Sequence, residues 1–347
     1  MKNRVGIVAE YNPFHFGHQY QIDEIRKAIP DAEIVVIMSG NFTQRGEMAI
    51  ASKWDRAKWA VEGGANLVVE LPTIHATSYA SDFGKCGVSI LEALGCQYIS
   101  FGSELEMDQL EKCIEAGEMP EHSPNAILAI EYIKAMTKAK PLLIKRVGEG
   151  YNSTELGDFS SAKAIRLALS ESGNIKGLVP SFVEADITRL PSKGLLFDLI
   201  RYMALDMKVE DIENIASSDN GLGSRLKEKA MEAKDYDELV EMLSSKKHSK
   251  ARINRFLIQL LLGITRDMQS IEPKVTQVLT FDQIGQKIIG ENRGGEIKLV
   301  NKLKRDMHLE EDDQTSLNMD IHGSDIYNLL LNSDIRADRD YFKKSNY

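Results

Sequence analysis

The sequence predicts an α/β protein: a doubly wound, parallel-sheet domain over residues 1–178, followed by a mainly α-helical domain over residues 179–347. Three observations carry this expectation. Short, β-branched apolar runs alternate with stretches of helical periodicity through the first half. Polar, glycine-containing loops follow several of those runs, at the strand ends where open α/β sheets bind ligands. Past residue 170, with the boundary near Pro180, the pattern becomes almost entirely helical.

Arg4-Val5-Gly6-Ile7-Val8-Ala9 is a short strand, and residues 19–29 form a helix with Tyr20, Ile22, Ile25 and Ile29 on one face. Residues 33–39 are continuously apolar, as in a strand buried on both faces. A helix over 52–62 follows, with Ser52 as N-cap, Asp55 in its first turn and Gly63-Gly64 as its stop. Residues 66–71 give a third strand ended by Pro72, and a helix over 83–94 stops at Gly95 before a fourth strand over 97–101. Helices over 104–116 and 125–138 precede a fifth strand over 141–147. Short connections between such elements imply parallel strands with right-handed crossovers. In the second half, 195–205, 209–216, 225–233, 236–243 and 252–263 have helical period, and 274–281 reads as β. The acidic run 310–313 reads as a solvated loop.

Bulk properties narrow the class. Of the 347 residues, 43% are hydrophobic and 27% charged, the balance of a globular protein with room for two cores. No apolar run approaches the roughly 18 residues of a membrane span, and Met1-Lys2-Asn3-Arg4 leads directly into a strand without a leader pattern. Three cysteines without CxxC spacing argue against a disulfide framework or a zinc site. A cytoplasmic location is the natural expectation. The net charge of −9 argues against a general nucleic-acid coat protein, so any RNA contact has to come from a local basic patch.

One such patch is present. Residues 246–255 hold Lys246, Lys247, Lys250, Arg252 and Arg255 with no carboxylate, leading into an apolar helix. A rigidly anchored basic segment suits a phosphate backbone, although a solvated helix start reads the same way. The clearest chemical signal is His15-Phe16-Gly17-His18, on the turn between the first strand and the first helix. Two imidazoles at the positive end of a helix dipole suit a polyphosphate; helix capping and metal binding are the other readings. Polar loops at 10–15, 39–46, 102–104 and 148–152 fall on the same rim. Ser161 is a candidate N-cap, and Arg166 one turn on can reach a phosphate or simply face solvent. Lys53 and Arg56 are read as exposed charges, or as anion-facing if their helix start lines the cleft.

These residues resemble a known family. Gly6 to His18, Met38 to Glu47, Lys53 to Ala57, Gly64 to Pro72, Phe101 to Glu104 and Pro124 to Tyr132 are similar to motifs of the bacterial tRNA(Met) cytidine acetate ligases, within the HxGH nucleotidyltransferase superfamily. The resemblance implies that ATP and acetate form acetyl-adenylate and that the acetyl group passes to N4 of the wobble cytidine of elongator tRNA(Met). It implies that Ile7, Val8, Ala9, Glu10, Tyr11, Asn12, Pro13, Phe14, His15, Phe16, Gly17, His18, Gln19 and Tyr20 wrap ATP. Gly102, Asn152 and Arg166 would contact the nucleotide, with His15 and His18 handling phosphate charge. The basic segment, Arg255 included, would meet tRNA. Mg²⁺ would arrive mainly with the nucleotide rather than in a protein metal site. Ala162 and Lys163 replace a Ser and a Thr of the superfamily's second phosphate motif, so the hydroxyl contacts that the resemblance would imply are not expected at those two positions. Glu10 and His18 are the candidate general bases. The alternative is a small-molecule adenylyltransferase of the same superfamily, which would leave the helical half without a purpose.

Overall fold

The computed structural model describes residues 3–120, 123–145, 160–184, 187, 189–304, 307–333 and 340–343. The first half follows the expected alternation: β1 (Arg4–Ala9), α1 (Phe16–Ala28), β2 (Glu33–Ser39), α2 (Lys53–Glu62), β3 (Leu67–Leu71), α3 (Thr73–Ala76), α4 (Ala80–Ala93), β4 (Tyr98–Ser103), α5 (Met107–Ala116), α6 (Pro124–Ala135) and β5 (Lys140–Lys145). Then come α7 (Ala162–Ser172), α8 (Ser181–Glu184), α9 (Lys193–Asp206), α10 (Val209–Glu213), α11 (Leu222–Glu232), α12 (Tyr236–Leu243), α13 (Lys250–Leu262) and α14 (Arg266–Gln269). The remaining elements are β6 (Val275–Phe281), α15 (Gln283–Glu291), β7 (Lys298–Val300) and α16 (Glu311–Leu330).

The sheet has the order β5-β4-β1-β2-β3-β6-β7. Its first five strands are parallel, with Gly6 opposite both Val35 of β2 and Ile99 of β4. The chain runs outward from β1 to β3 and then returns to β4, so the strand order reverses between β1 and β4. That is where an open α/β sheet forms its ligand crevice. β2 and β3 are buried on both faces, which accounts for their unbroken apolar runs.

The parallel expectation fails at one edge. β6, from the second half, pairs antiparallel with β3 across an irregularity at Val68/Val69, and β7 extends the sheet beyond it. A local apolar run signals a strand but not its partner, so the sequence could not place this one. The helical elements α9 to α14 therefore form an excursion between two parts of one sheet. Their core also takes in Phe42 and Ile74 from the first half. The acidic run is not a loop: Glu310 is the N-cap of α16 and Glu311 to Asp313 form its first turn, where carboxylates complement the helix dipole. Asp313 also accepts a hydrogen bond from the Lys274 backbone N–H at 2.7 Å.

Lys53 and Arg56 are neither exposed nor anion-facing; both have no solvent exposure at all. Lys53 Nζ lies 2.6 Å from Glu70 and 2.7 Å from Asp340, and Trp54 Nε1 donates to the other Asp340 oxygen at 3.1 Å. A buried ammonium is tolerable only with such partners. Burial works to lower the Lys53 pKa, but Asp340 and Glu70 outweigh it and raise it. Among the described residues no helix is long and apolar enough to cross a membrane.

Candidate active site

His15 is the N-cap of α1. Its Nδ1 accepts from the Gly17 N–H at 3.0 Å, while the His15 N–H points at Nδ1 of His18 at 3.3 Å. The two rings stack with centroids 3.8 Å apart and planes 27° from parallel. A side chain at position 17 would collide with the His15 ring, so the motif needs glycine there. With both Nδ1 atoms accepting, each neutral imidazole carries its proton on Nε2. Capping does not use up the rings: the caps fix both, and in this tautomer each Nε2–H is held in a set direction. The first turn of α1 has no acidic residue, leaving the positive helix end uncompensated by its own side chains.

Arg56 organises the loops under this turn. Its guanidinium donates to the carbonyls of Glu10, Ser39, Gly40 and Ala51, tying the ends of β1 and β2 together. Asn12 Oδ1 accepts from the Ile50 N–H and Glu10 Oε1 from the Gln44 N–H, each at 2.8 Å. Burial raises the Glu10 carboxyl above its ordinary value of 4.5, with nearby Glu47 adding to the rise and the Gln44 N–H opposing it. Arg166, on α7, donates to the Asn12 carbonyl at 2.8 Å and pairs with Glu47 at 3.0 Å. Ser161 caps α7 by accepting from the Ala164 N–H at 3.1 Å.

His15, His18, Glu10, Asn12, Ser161 and Arg166 line a cleft of about 500 Å³ at the reversal of strand order, within the range of small-molecule and cofactor sites. Of the residues expected to wrap a nucleotide, Ile7, Val8, Ala9, Glu10, Tyr11, Asn12, His15, Gly17, His18, Tyr20, Gly102 and Arg166 are on its wall. Pro13, Phe14, Phe16 and Gln19 are not. Phe14 is fully buried behind the turn, edge-on to Tyr11 at 5.0 Å. Gln19 Nε2 bonds instead to the Gly63 carbonyl and Asp23. A continuous motif cannot face one way throughout, because a tight turn and a helix start rotate successive side chains. Asn152, with the loop 148–152, lies outside the described residues.

The cleft also has walls the sequence did not suggest: Tyr79, Phe83, Phe101 and Tyr132 form an aromatic side. Phe83 and Phe101 read in sequence as ordinary helix and strand core, and nothing local marks them as lining. The basic segment is less uniform than its composition. Asp219, distant in sequence, takes Lys247 at 2.7 Å, His248 at 2.9 Å and Arg252 at 3.4 Å, and Glu241 pairs with Lys250. Partial burial opposes ionisation of Asp219, but hydrogen bonds from Lys247 and His248 hold it down at about 2. Lys246, Lys247 and Lys250 are exposed, whereas Arg255 is buried and lines the cleft.

The chain matches the family HIGH Nucleotidyl Transferase over residues 1–122 and 109–341. It is similar to the tRNA(Met) cytidine acetate ligase of Clostridium perfringens (strain SM101 / Type A), with 31% identity over 98% of each chain. The ligase of the same name from Lactococcus lactis subsp. cremoris (strain MG1363) is 34% identical, over 87% of this chain and 90% of its own. The apo form I crystal structure of Thermotoga maritima TmcAL superimposes with a TM-score of 0.88 at 23% identity, covering 100% of this chain and 99% of that one. The Form II structure of the same protein, bound with alpha-thio ATP, gives 0.86 at the same identity and coverage. At these identities the two structures establish the shared fold. The sequence relatives, at more than 30% identity across most of both chains, decide the family: the chain belongs to the tRNA(Met) cytidine acetate ligases, within the HIGH nucleotidyl transferases.

Proposed function

We propose that this protein activates acetate with ATP to acetyl-adenylate and transfers the acetyl group to N4 of the wobble cytidine of elongator tRNA(Met). The observation that carries this reading is the His15–His18 turn. It holds two Nε2 donors at a helix N-terminus whose first turn has no acidic residue, inside a cleft of nucleotide size, in a chain of the acetate ligase family. The alpha-thio ATP bound to the Thermotoga maritima protein supports ATP as the nucleotide.

In the first step an acetate oxygen bonds to the α-phosphorus and the bond to the departing pyrophosphate breaks. Negative charge grows on the leaving group, and fixed donors there lower the barrier without reorganising. The two imidazoles, the α1 N-terminus and Arg166 supply those donors. Mg²⁺ would arrive with the nucleotide, on its phosphates, and supply further positive charge there. In the second step cytidine N4, a weak neutral nucleophile, attacks the acetyl carbonyl and AMP leaves, so proximity carries much of the rate. Glu10 is the carboxylate among the described cleft-lining residues, and its raised pKa suits it to accept the N4 proton. Lys246, Lys247, Lys250 and Arg252 would meet the tRNA backbone. In this assignment residues 1–178 carry activation and the helical excursion carries RNA recognition.

The test is nucleoside analysis of tRNA(Met) bearing an unmodified wobble cytidine, after incubation with ATP, Mg²⁺ and labelled acetate. Labelled N4-acetylcytidine is expected. Its absence, together with an adenylylated small-molecule product, would establish the adenylyltransferase alternative instead.

A further inference from the structure

We propose that Arg255 is a phosphate-binding residue of the nucleotide cleft, delivered by the helical excursion, rather than a member of the RNA-facing segment that precedes it in sequence. The inference rests on the reading of the cleft as an ATP site, and adds to it a group from outside the nucleotidyltransferase motifs.

Arg255 lies on α13 but only 7% of it is exposed. Its guanidinium is centred 4.5 Å over the Tyr79 ring, and Nη1 reaches the Gln44 carbonyl at 3.4 Å. Nε is buried without a hydrogen-bond partner. The ion pairs among the described residues give Arg166 to Glu47 and Arg252 to Asp219, but none of them gives Arg255 a carboxylate. Burying a guanidinium in this state is costly unless an anion joins it. Burial accordingly lowers its pKa, with the Tyr79 side chain opposing the shift and the nearby cations Arg252 and Arg45 adding to it. The side chain shares the cleft wall with His15, His18, Arg45 and Arg166, so an anion bound in this cleft would complete it.

The placement is rigid. Gly46 has φ +71°, and a Cβ there would run into the backbone of Asn254 and Arg255. The loop after β2 therefore sits flush on the start of α13, fixing Gln44 and Arg45 relative to Arg255. A guanidinium stacked by its face keeps its edge donors for a planar pair of oxygens, the geometry that favours Arg over Lys on phosphate. An RNA backbone on the outer surface would need a solvent-facing cation, and Arg255 is not one. When the bond between the α-phosphorus and the bridging oxygen breaks, the electron pair goes to pyrophosphate, and Arg255 would meet that charge.

Calorimetric titration of the full chain with ATP, AMP and unmodified tRNA(Met) tests this, using Arg255→Gln and Arg255→Lys. The expected result is a loss of roughly tenfold or more in ATP affinity for Arg255→Gln. Affinity for AMP and tRNA should be unchanged, with partial recovery in Arg255→Lys. Loss of tRNA affinity with ATP affinity intact would return Arg255 to the RNA surface and overturn the inference. Equal loss of ATP and AMP affinity together with a lowered Tm would also overturn it, by making Arg255 a wall residue only. If the wild-type chain binds ATP and Arg255→Gln binds it equally well, the inference alone fails. If the wild-type chain does not bind ATP, the ATP reading itself fails.

Discussion

In the proposed mechanism His18 would be both a cap and a donor to the leaving phosphates. Its Nδ1 receives the His15 N–H and its ring packs edge-on to Tyr11 at 4.7 Å. Replacing it with alanine removes a cap contact worth about 1 kcal/mol and a transition-state donor worth roughly 10²–10³ in rate. In His18→Ala we expect acetate-dependent ATP–pyrophosphate exchange to fall by about that factor while Tm drops only slightly. A variant with the Tm drop but full exchange would reduce His18 to a cap. Glu10 gives a pH signature. Its folded pKa is raised above 4.5 by burial, so its stabilising contribution is fully present below 4.5 and is lost as pH rises through the folded value. Glu10→Gln keeps an acceptor for the Gln44 N–H and removes the titration. The variant's Tm should therefore gain on wild type as pH rises from 4.5 towards neutrality; a difference that stays flat with pH would contradict the burial argument.

At the scale of elements, α2 is the hub joining the sheet to the chain's far end. Its buried Lys53 is held by Glu70 of β3 and by Asp340, which Ser324 of α16 also contacts at 2.9 Å. Asp320 of α16 is pushed up to about 6, chiefly by burial, with Lys53 and the Thr73 N–H working against it. The cluster carries more carboxylates than Lys53 alone can neutralise, yet losing Asp340 would leave the Lys53 ammonium with Glu70 as its one ion-pair partner among the described residues, beside the Gln277 amide oxygen at 3.2 Å. Breaking a buried pair from one side costs about 3–5 kcal/mol. Asp340→Ala should show a loss of that order in urea unfolding. A much smaller loss would mean that Glu70 suffices. Arg56 on the same helix has a different task, since it binds carbonyls rather than carboxylates and so fixes the loops of β1 and β2 that shape the cleft floor.

For the whole molecule, the significant arrangement is a helical excursion that returns to the sheet as β6 and contributes Arg255 to the cleft wall. Activation and RNA recognition would then be carried by one packed body, with the basic segment ending at the cleft wall in Arg255. Lys247→Glu combined with Arg252→Glu should weaken tRNA binding and reduce its salt dependence by close to two phosphate contacts, leaving ATP affinity unchanged. Both side chains share Asp219, so the double variant also places three carboxylates together. A parallel loss of ATP affinity would therefore indicate local misfolding rather than a lost RNA contact.

What could be read in the sequence were features written in neighbouring residues. The five parallel strands, the helix caps at Ser52 and Ser161, and the His15–His18 turn all follow from periodicity, cap chemistry and a glycine at one place. Local patterns of this kind are set by backbone hydrogen bonding and side-chain alternation within a few residues. The pairing of β6 with β3, the burial of Lys53 and Arg56, the neutralising Asp219, and the cleft-facing Arg255 were decided by tertiary structure alone. Each depends on a partner tens to hundreds of positions away, and a charged residue reads as solvated until the fold supplies the group that lets it be buried.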